Sequence, residues 1–119
     1  MEKKKERKWK NKKFNIFGDK WTIMFGDKVM ESTASNPEEH WVWGLTVPTE
    51  RKLLISTISE NDRHLADDDI MCTIAHECVH AILDSGQYCN ASNDEPMVEF
   101  LAKGILSLIK SKVFEYEKV

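Results

Sequence analysis

The sequence predicts a single α+β domain, on three observations. β-forming runs broken by turn residues fill the first half of the chain, helix-period segments fill the second, and the two kinds do not alternate. The expected architecture is therefore a small, mostly antiparallel sheet followed by two packed helices. A length of 119 residues suits one domain better than two.

Each element has a local reason. Residues 1–13 form a basic leader, and the domain is expected over 14–119. Residues 20–25 (KWTIMF) are rich in β-formers, and Gly26-Asp27 is a turn signal leading to 28–31. Residues 32–39 read as a polar loop containing Pro37. WVWGLTV (41–47) is a second β-rich run, Pro48-Thr49-Glu50 a turn, and LLISTI (53–58) a third run, which together predict a hairpin beside the first strand. Trp41 and Trp43 fall on one face by the two-residue period and are expected in the core. Asp67, Asp68 and Asp69 offer N-cap choices and negative charge for a helix over 70–85, with Gly86 as its C′ residue. Within residues 70–83 the only unambiguously charged side chain is Glu77, so this helix should be buried on most sides. A polar loop covers 87–94, and Pro96 opens a second helix reaching about residue 115.

Composition narrows the function classes. Hydrophobic residues make up 41% and charged residues 31%, as in a folded, soluble protein. No apolar run approaches the roughly 20 residues of a membrane span, and no apolar stretch follows the basic leader as in a secretory signal. Three cysteines, Cys72, Cys78 and Cys89, do not make a disulfide scaffold, and a reducing cytoplasm fits them. The net charge of −3 divides into +6 over residues 1–20 and −9 over the rest. The leader offers weak phosphate attraction to nucleic acid or is simply a solvated tail. Its one aromatic, Trp9, is too few for a base-stacking platform.

The chemistry is concentrated in His76-Glu77-Cys78-Val79-His80. Residues i and i+4 share a helical face, so both imidazoles can reach one Zn²⁺. Glu77 projects roughly 100° around from His76, where it can serve as general base toward a metal-activated water without being a ligand. Two histidines and a glutamate in an otherwise apolar helix each need a reason to be there; the alternative is satisfied core histidines beside a solvated glutamate. A catalytic zinc site needs a third protein ligand. No histidine follows at a useful spacing, and the cysteines form no CxxC pair. The carboxylates downstream are Asp84, Asp94, Glu95 and Glu99. Asp84 lies near the helix end, beyond the metal's reach. Glu95 and Glu99 share a stripe with Ala102 and Leu106 that should pack on the first helix. One of the pair would then face the metal and the other accept an N–H from a ligand histidine. Glu95 alternatively serves only the dipole of its own helix. His40, His64 and Tyr88 are candidates for stabilising an oxyanion, with nothing in the spacing to select one. Cys78 and Cys72 are expected in the core, and Cys89 in a loop.

The HExxH segment followed by Asn93-Asp94-Glu95, Glu99 and Ala102 resembles the gluzincin arrangement. That resemblance implies His76, His80 and Glu95 as ligands of one zinc ion, Glu99 as the orienting acid or alternative third ligand, and Glu77 as the catalytic base. The chain departs from the family pattern where Asp94 separates Asn93 from Glu95, and where the second acid is Glu rather than Asp. Size and element order resemble the minimal zinc metallopeptidases of phages and prophages, the ImmA/IrrE-type proteins. This implies hydrolysis of a peptide or protein substrate, held along an edge strand for which residues 53–58 are the candidate. The competing expectations are a catalytically weak or inactive zincin-derived binding or regulatory protein, and a domain that positions the basic leader on nucleic acid.

Overall fold

The computed structural model describes residues 9–117. The first eight residues of the leader lie outside the described residues, and with them most of the expected nucleic-acid contact. The last five belong to the domain. Trp9 stacks on Phe25 with ring centroids 5.7 Å apart and donates its indole N–H to Asp67 Oδ1 at 3.0 Å. Asn11 Oδ1 accepts from the backbone N–H of Phe25, and Lys12 already begins a strand.

Among the described residues, six strands precede the helices: β1 (Lys12–Ile16), β2 (Asp19–Gly26), β3 (Val29–Glu31), β4 (His40–Val42), β5 (Gly44–Val47) and β6 (Lys52–Ser56). β1 and β2 form a hairpin closed at Phe17 and Gly18, both at positive φ (50° and 83°), the backbone that matches the natural strand twist. The main sheet runs β1-β2-β6-β5. β6 lies parallel to β2 and antiparallel to β5, so the predicted hairpin beside the first strand forms around a short 3₁₀ turn, Pro48–Glu50. β3 and β4 make a separate antiparallel ribbon. Ser56, fully buried, fastens that ribbon to the sheet: its Oγ accepts from Val29 N at 2.8 Å and donates to Val42 O at 2.7 Å.

The run 41–47 is therefore two strands, broken at Trp43. The expectation of a core tryptophan pair needs correcting, because this break turns both rings away from the sheet interior. Trp41 is half-buried and ties its N–H to Ile58 O, while Trp43 is 49% exposed. The substrate-strand expectation for residues 53–58 also fails. β6 is an interior strand paired on both sides, with Leu53 and Ile55 fully buried. The edge facing the helices is β5.

Helix α1 (Asp67–Ser85) is the middle layer of the molecule. Its Ile70 and Ala81 join Trp21, Ile23, Leu53 and Ile55 against the sheet, and its Ala75 and Val79 join Val98, Ala102 and Leu106 of α3 on the other side. Burial on two sides explains why α1 lacks a charged face. Its N-cap is Ala66, with no side-chain cap, so the three aspartates serve the helix dipole from the first turn instead. At its C-terminus Gln87 N–H reaches Asp84 O and Tyr88 N–H reaches Leu83 O, the Schellman pattern. The left-handed residue is thus Gln87 (φ 62°), one place later than predicted, and Gly86 sits at φ −90°. A Cβ at 86 would lie 2.7 Å from the ring of Tyr88, so a larger residue there would require that exposed ring to move.

The expected loop 87–94 contains one helical turn, α2 (Cys89–Ser92). Helix α3 (Glu95–Lys110) follows, capped by the Asp94 side chain, which accepts from Met97 N. It ends five residues before the predicted boundary. Lys112 takes a left-handed conformation (φ 61°), with its N–H on Ile109 O and Val113 N–H on Leu108 O closing a second Schellman motif. Among the described residues, no helix is long and apolar enough to cross a membrane.

Candidate metal centre

His76 and His80 lie one turn apart on the side of α1 that faces neither the sheet nor the apolar part of α3. Their rings stand 5.0 Å apart, edge to face. Each imidazole has one nitrogen held from behind. His76 Nδ1 is 2.8 Å from Glu99 Oε2, and His80 Nδ1 is 2.9 Å from Ser92 Oγ. Both remaining nitrogens point at a single carboxylate: His76 Nε2 lies 3.0 Å from Glu95 Oε2 and His80 Nε2 lies 3.2 Å from Glu95 Oε1. Glu95 is placed there by the α3 N-terminus. Asp94, the residue that interrupts the gluzincin-like pattern, caps the helix and so sets Glu95 in its first turn.

Ligand atoms of His76, His80 and Glu95 all fall within 4.8 Å of one another. The donor set suits a cation. A neutral imidazole has one N–H to give, yet His76 has a carboxylate oxygen at each ring nitrogen. A further proton or a metal ion is needed between its Nε2 and Glu95. Two imidazole nitrogens and a carboxylate oxygen, with their outer positions already engaged, fit zinc coordination. Of the two acids left open by the sequence, Glu95 faces both inward nitrogens, and Glu99 backs His76. Asp94 is used as a cap, and Asp84 lines the surrounding cleft without joining the group.

Glu77 occupies the neighbouring wall and is only 6% exposed. Thr46 on β5 shares its hydroxyl hydrogen between Glu77 Oε1 (3.0 Å) and the Glu77 carbonyl oxygen (3.1 Å). Burial pushes the Glu77 carboxyl above its ordinary value, while His80 and the Thr46 hydroxyl pull the other way. Cys78 points to the sheet side of α1, where burial pushes its thiol up to about 11. Gly44 lets β5 approach α1 this closely: a Cβ there would stand 2.7 Å from Thr73 Cγ2 and 2.9 Å from Glu77 Cγ.

The metal group, Glu77 and Glu99 line a cleft of about 790 Å³ between β4–β5 and the two long helices. Trp41, Trp43, Gly44, Thr46 and Ser92 line it and were not expected in a site. An isolated glycine inside a β-rich run is a signal of close backbone approach, so Gly44 was findable. Nothing local marks Thr46 or Ser92. His40, His64 and Tyr88 are not among the lining residues. No family model, curated protein sequence or solved structure matches the chain.

Proposed function

We propose that the chain is a zinc-dependent metallopeptidase of the minimal, gluzincin-like kind. His76, His80 and Glu95 would hold the metal, and Glu77 would act as general base and acid. The observation that carries this reading is the convergence of both Nε2 atoms on Glu95 while Glu99 and Ser92 hold the opposite nitrogens, with a buried carboxylate beside them. Zinc, when bound, supplies a Lewis acid and lowers the pKa of a water to about 7.

The chain's own residues divide the remaining work. Glu77 Oε accepts the proton of the attacking water and delivers it to the nitrogen of the broken peptide bond. Thr46 fixes the Glu77 carboxylate, so the base is already oriented before substrate arrives. Glu99 and Ser92 fix the imidazole orientations. β5, an edge strand along the cleft, takes the place first expected of residues 53–58 and can pair with an extended peptide. Three free cysteines fit a reducing, cytoplasmic setting for this activity.

The test is metal content with activity. Wild type should carry about one zinc, Glu95→Gln little, and Glu77→Gln a full complement. Peptide hydrolysis by Glu77→Gln should fall by about 10²–10⁴-fold, the usual worth of a general base. An unchanged rate in Glu77→Gln rejects the mechanism. Zinc retained in Glu95→Gln rejects the ligand set. A zinc-loaded wild type that hydrolyses no member of a broad peptide library moves the chain to the binding-protein reading.

A further inference from the structure

One end of the cleft is built differently from the metal end. Its wall is the Trp41–Trp43 pair, ring centroids 5.0 Å apart at an interplanar angle of 67°. Trp41 is pinned through its N–H to Ile58 O, and beside it Trp43 keeps 49% of its surface open. An anchored tryptophan supporting a second, half-exposed one at the mouth of a cleft is a ready-made π surface for a ligand. Apart from the two histidines, the ionisable side chains that line this cleft are carboxylates and the Cys72 thiol, although Lys103, outside the lining, reaches Glu99 at 3.7 Å. Beyond the metal group, Glu31, Asp69 and Asp84 line it, and among the described residues no Lys or Arg does. Glu31 has His40 as a neighbour at 3.9 Å, which neutralises it only when the imidazole is protonated. A divalent ion at His76, His80 and Glu95 would still leave the cleft anionic.

Resting on the peptidase reading, we propose that the cleft selects peptides carrying a lysine or arginine side chain near the bond presented to Glu77, with Trp43 as the specificity-determining residue. The cationic head stacks over the Trp43 face and is drawn in by the surrounding carboxylates, while its methylene stem covers the indole. An acidic side chain at the Trp43 end of the cleft, away from the metal group, meets like charge with no Lys or Arg among the described lining residues to offset it. An uncharged apolar side chain gains the indole contact and nothing from the field.

The experiment separates binding from turnover. Zinc-loaded full-length Glu77→Gln is titrated with three end-blocked hexapeptides of identical sequence except for Lys, norleucine or Glu at one central position. The Lys peptide should bind at least about fivefold tighter than the norleucine peptide, and the Glu peptide weakest. Raising NaCl to about 0.5 M should shrink the Lys advantage, as screening requires. Trp43→Ala in the same background should remove most of it with the fold and zinc content retained, because Trp43 is half-exposed and touches Trp41 but is not among the metal group. Equal or tighter binding of the norleucine peptide, or no binding of any of the three, overturns the proposal. So does a Lys preference that survives Trp43→Ala. Wild-type hydrolysis of the same peptides is scored apart. A Lys preference in binding without hydrolysis keeps this inference and rejects the peptidase reading, and hydrolysis without Lys preference does the reverse.

Discussion

Orientation of the two histidines depends on groups outside the HExxH segment. Glu99 and Ser92 each occupy an Nδ1, which leaves both Nε2 atoms free to face Glu95. Partners of this kind typically contribute 10–100-fold to metal affinity. Ser92→Ala and Glu99→Gln should therefore each retain the fold and weaken zinc by about that factor, measured by competition with a chromophoric chelator. Affinity equal to wild type in both would show that the histidines need no holding. Gly44 makes a complementary prediction. Gly44→Ala places a methyl 2.7 Å from Thr73 Cγ2 and 2.9 Å from Glu77 Cγ, both on a packed helix. Overpacking of this sort costs about 1–3 kcal/mol, readable by urea denaturation, and it should displace the base and lower activity as well. The motif was legible in the sequence because its spacing is helical. Of its supports, Gly44 carried a signal as an isolated glycine in a β-rich run, whereas Thr46 and Ser92 are common residues in unremarkable local contexts.

One hydroxyl supplies two of the hydrogen bonds that join the second ribbon to the sheet. Ser56 Oγ bridges β3 and β4 by accepting from Val29 N and donating to Val42 O, with no exposure to water. Ser56→Ala strands a buried donor and acceptor and should cost about 1–3 kcal/mol of stability. Because β4 carries Trp41 into the cleft wall, the substitution should also loosen that wall. Hydrogen exchange at the Val29 amide checks the claim directly, and protection equal to wild type would reject it. Boundaries were the least legible property at this scale. Helix α3 stops at Lys110 and α1 reverses at Gln87 because the following residues take left-handed conformations, which the sequence signals with neither glycine nor asparagine at 87 or 112. The β-rich run 41–47 divided for a tertiary reason: one part pairs with β3 and the other with β6.

At the scale of the whole molecule, the sheet, α1 and α3 form three layers, and the candidate metal group joins the last two from the open side. Two of its residues belong to α1 and one to α3, so a bound ion links helices that otherwise meet through small apolar side chains such as Ala75 and Ala102. Binding to the folded state alone stabilises by about 2.7 kcal/mol when the free ion is at a hundred times its Kd. Chelation should accordingly lower Tm by roughly 10 °C for a chain of this size, reversibly on adding zinc back. A Tm indifferent to chelator would mean that no ion bridges α1 and α3.

Several features followed from the sequence by itself. The α+β order, the buried character of α1, the pairing of α1 with the Glu95–Glu99–Ala102–Leu106 stripe and the common face of His76 and His80 all arise from period and composition. Those signals are local, and local geometry is fixed by the repeat of the helix or strand. Tertiary structure alone decided that β6 is an interior strand and β5 the edge, that the tryptophans line the cleft instead of filling the core, and that Glu95 meets the inward nitrogens while Glu99 stands behind one of them. Each of these depends on which distant segments share a face. That choice is made by the packing of the whole chain, to which a residue's neighbours in sequence contribute little.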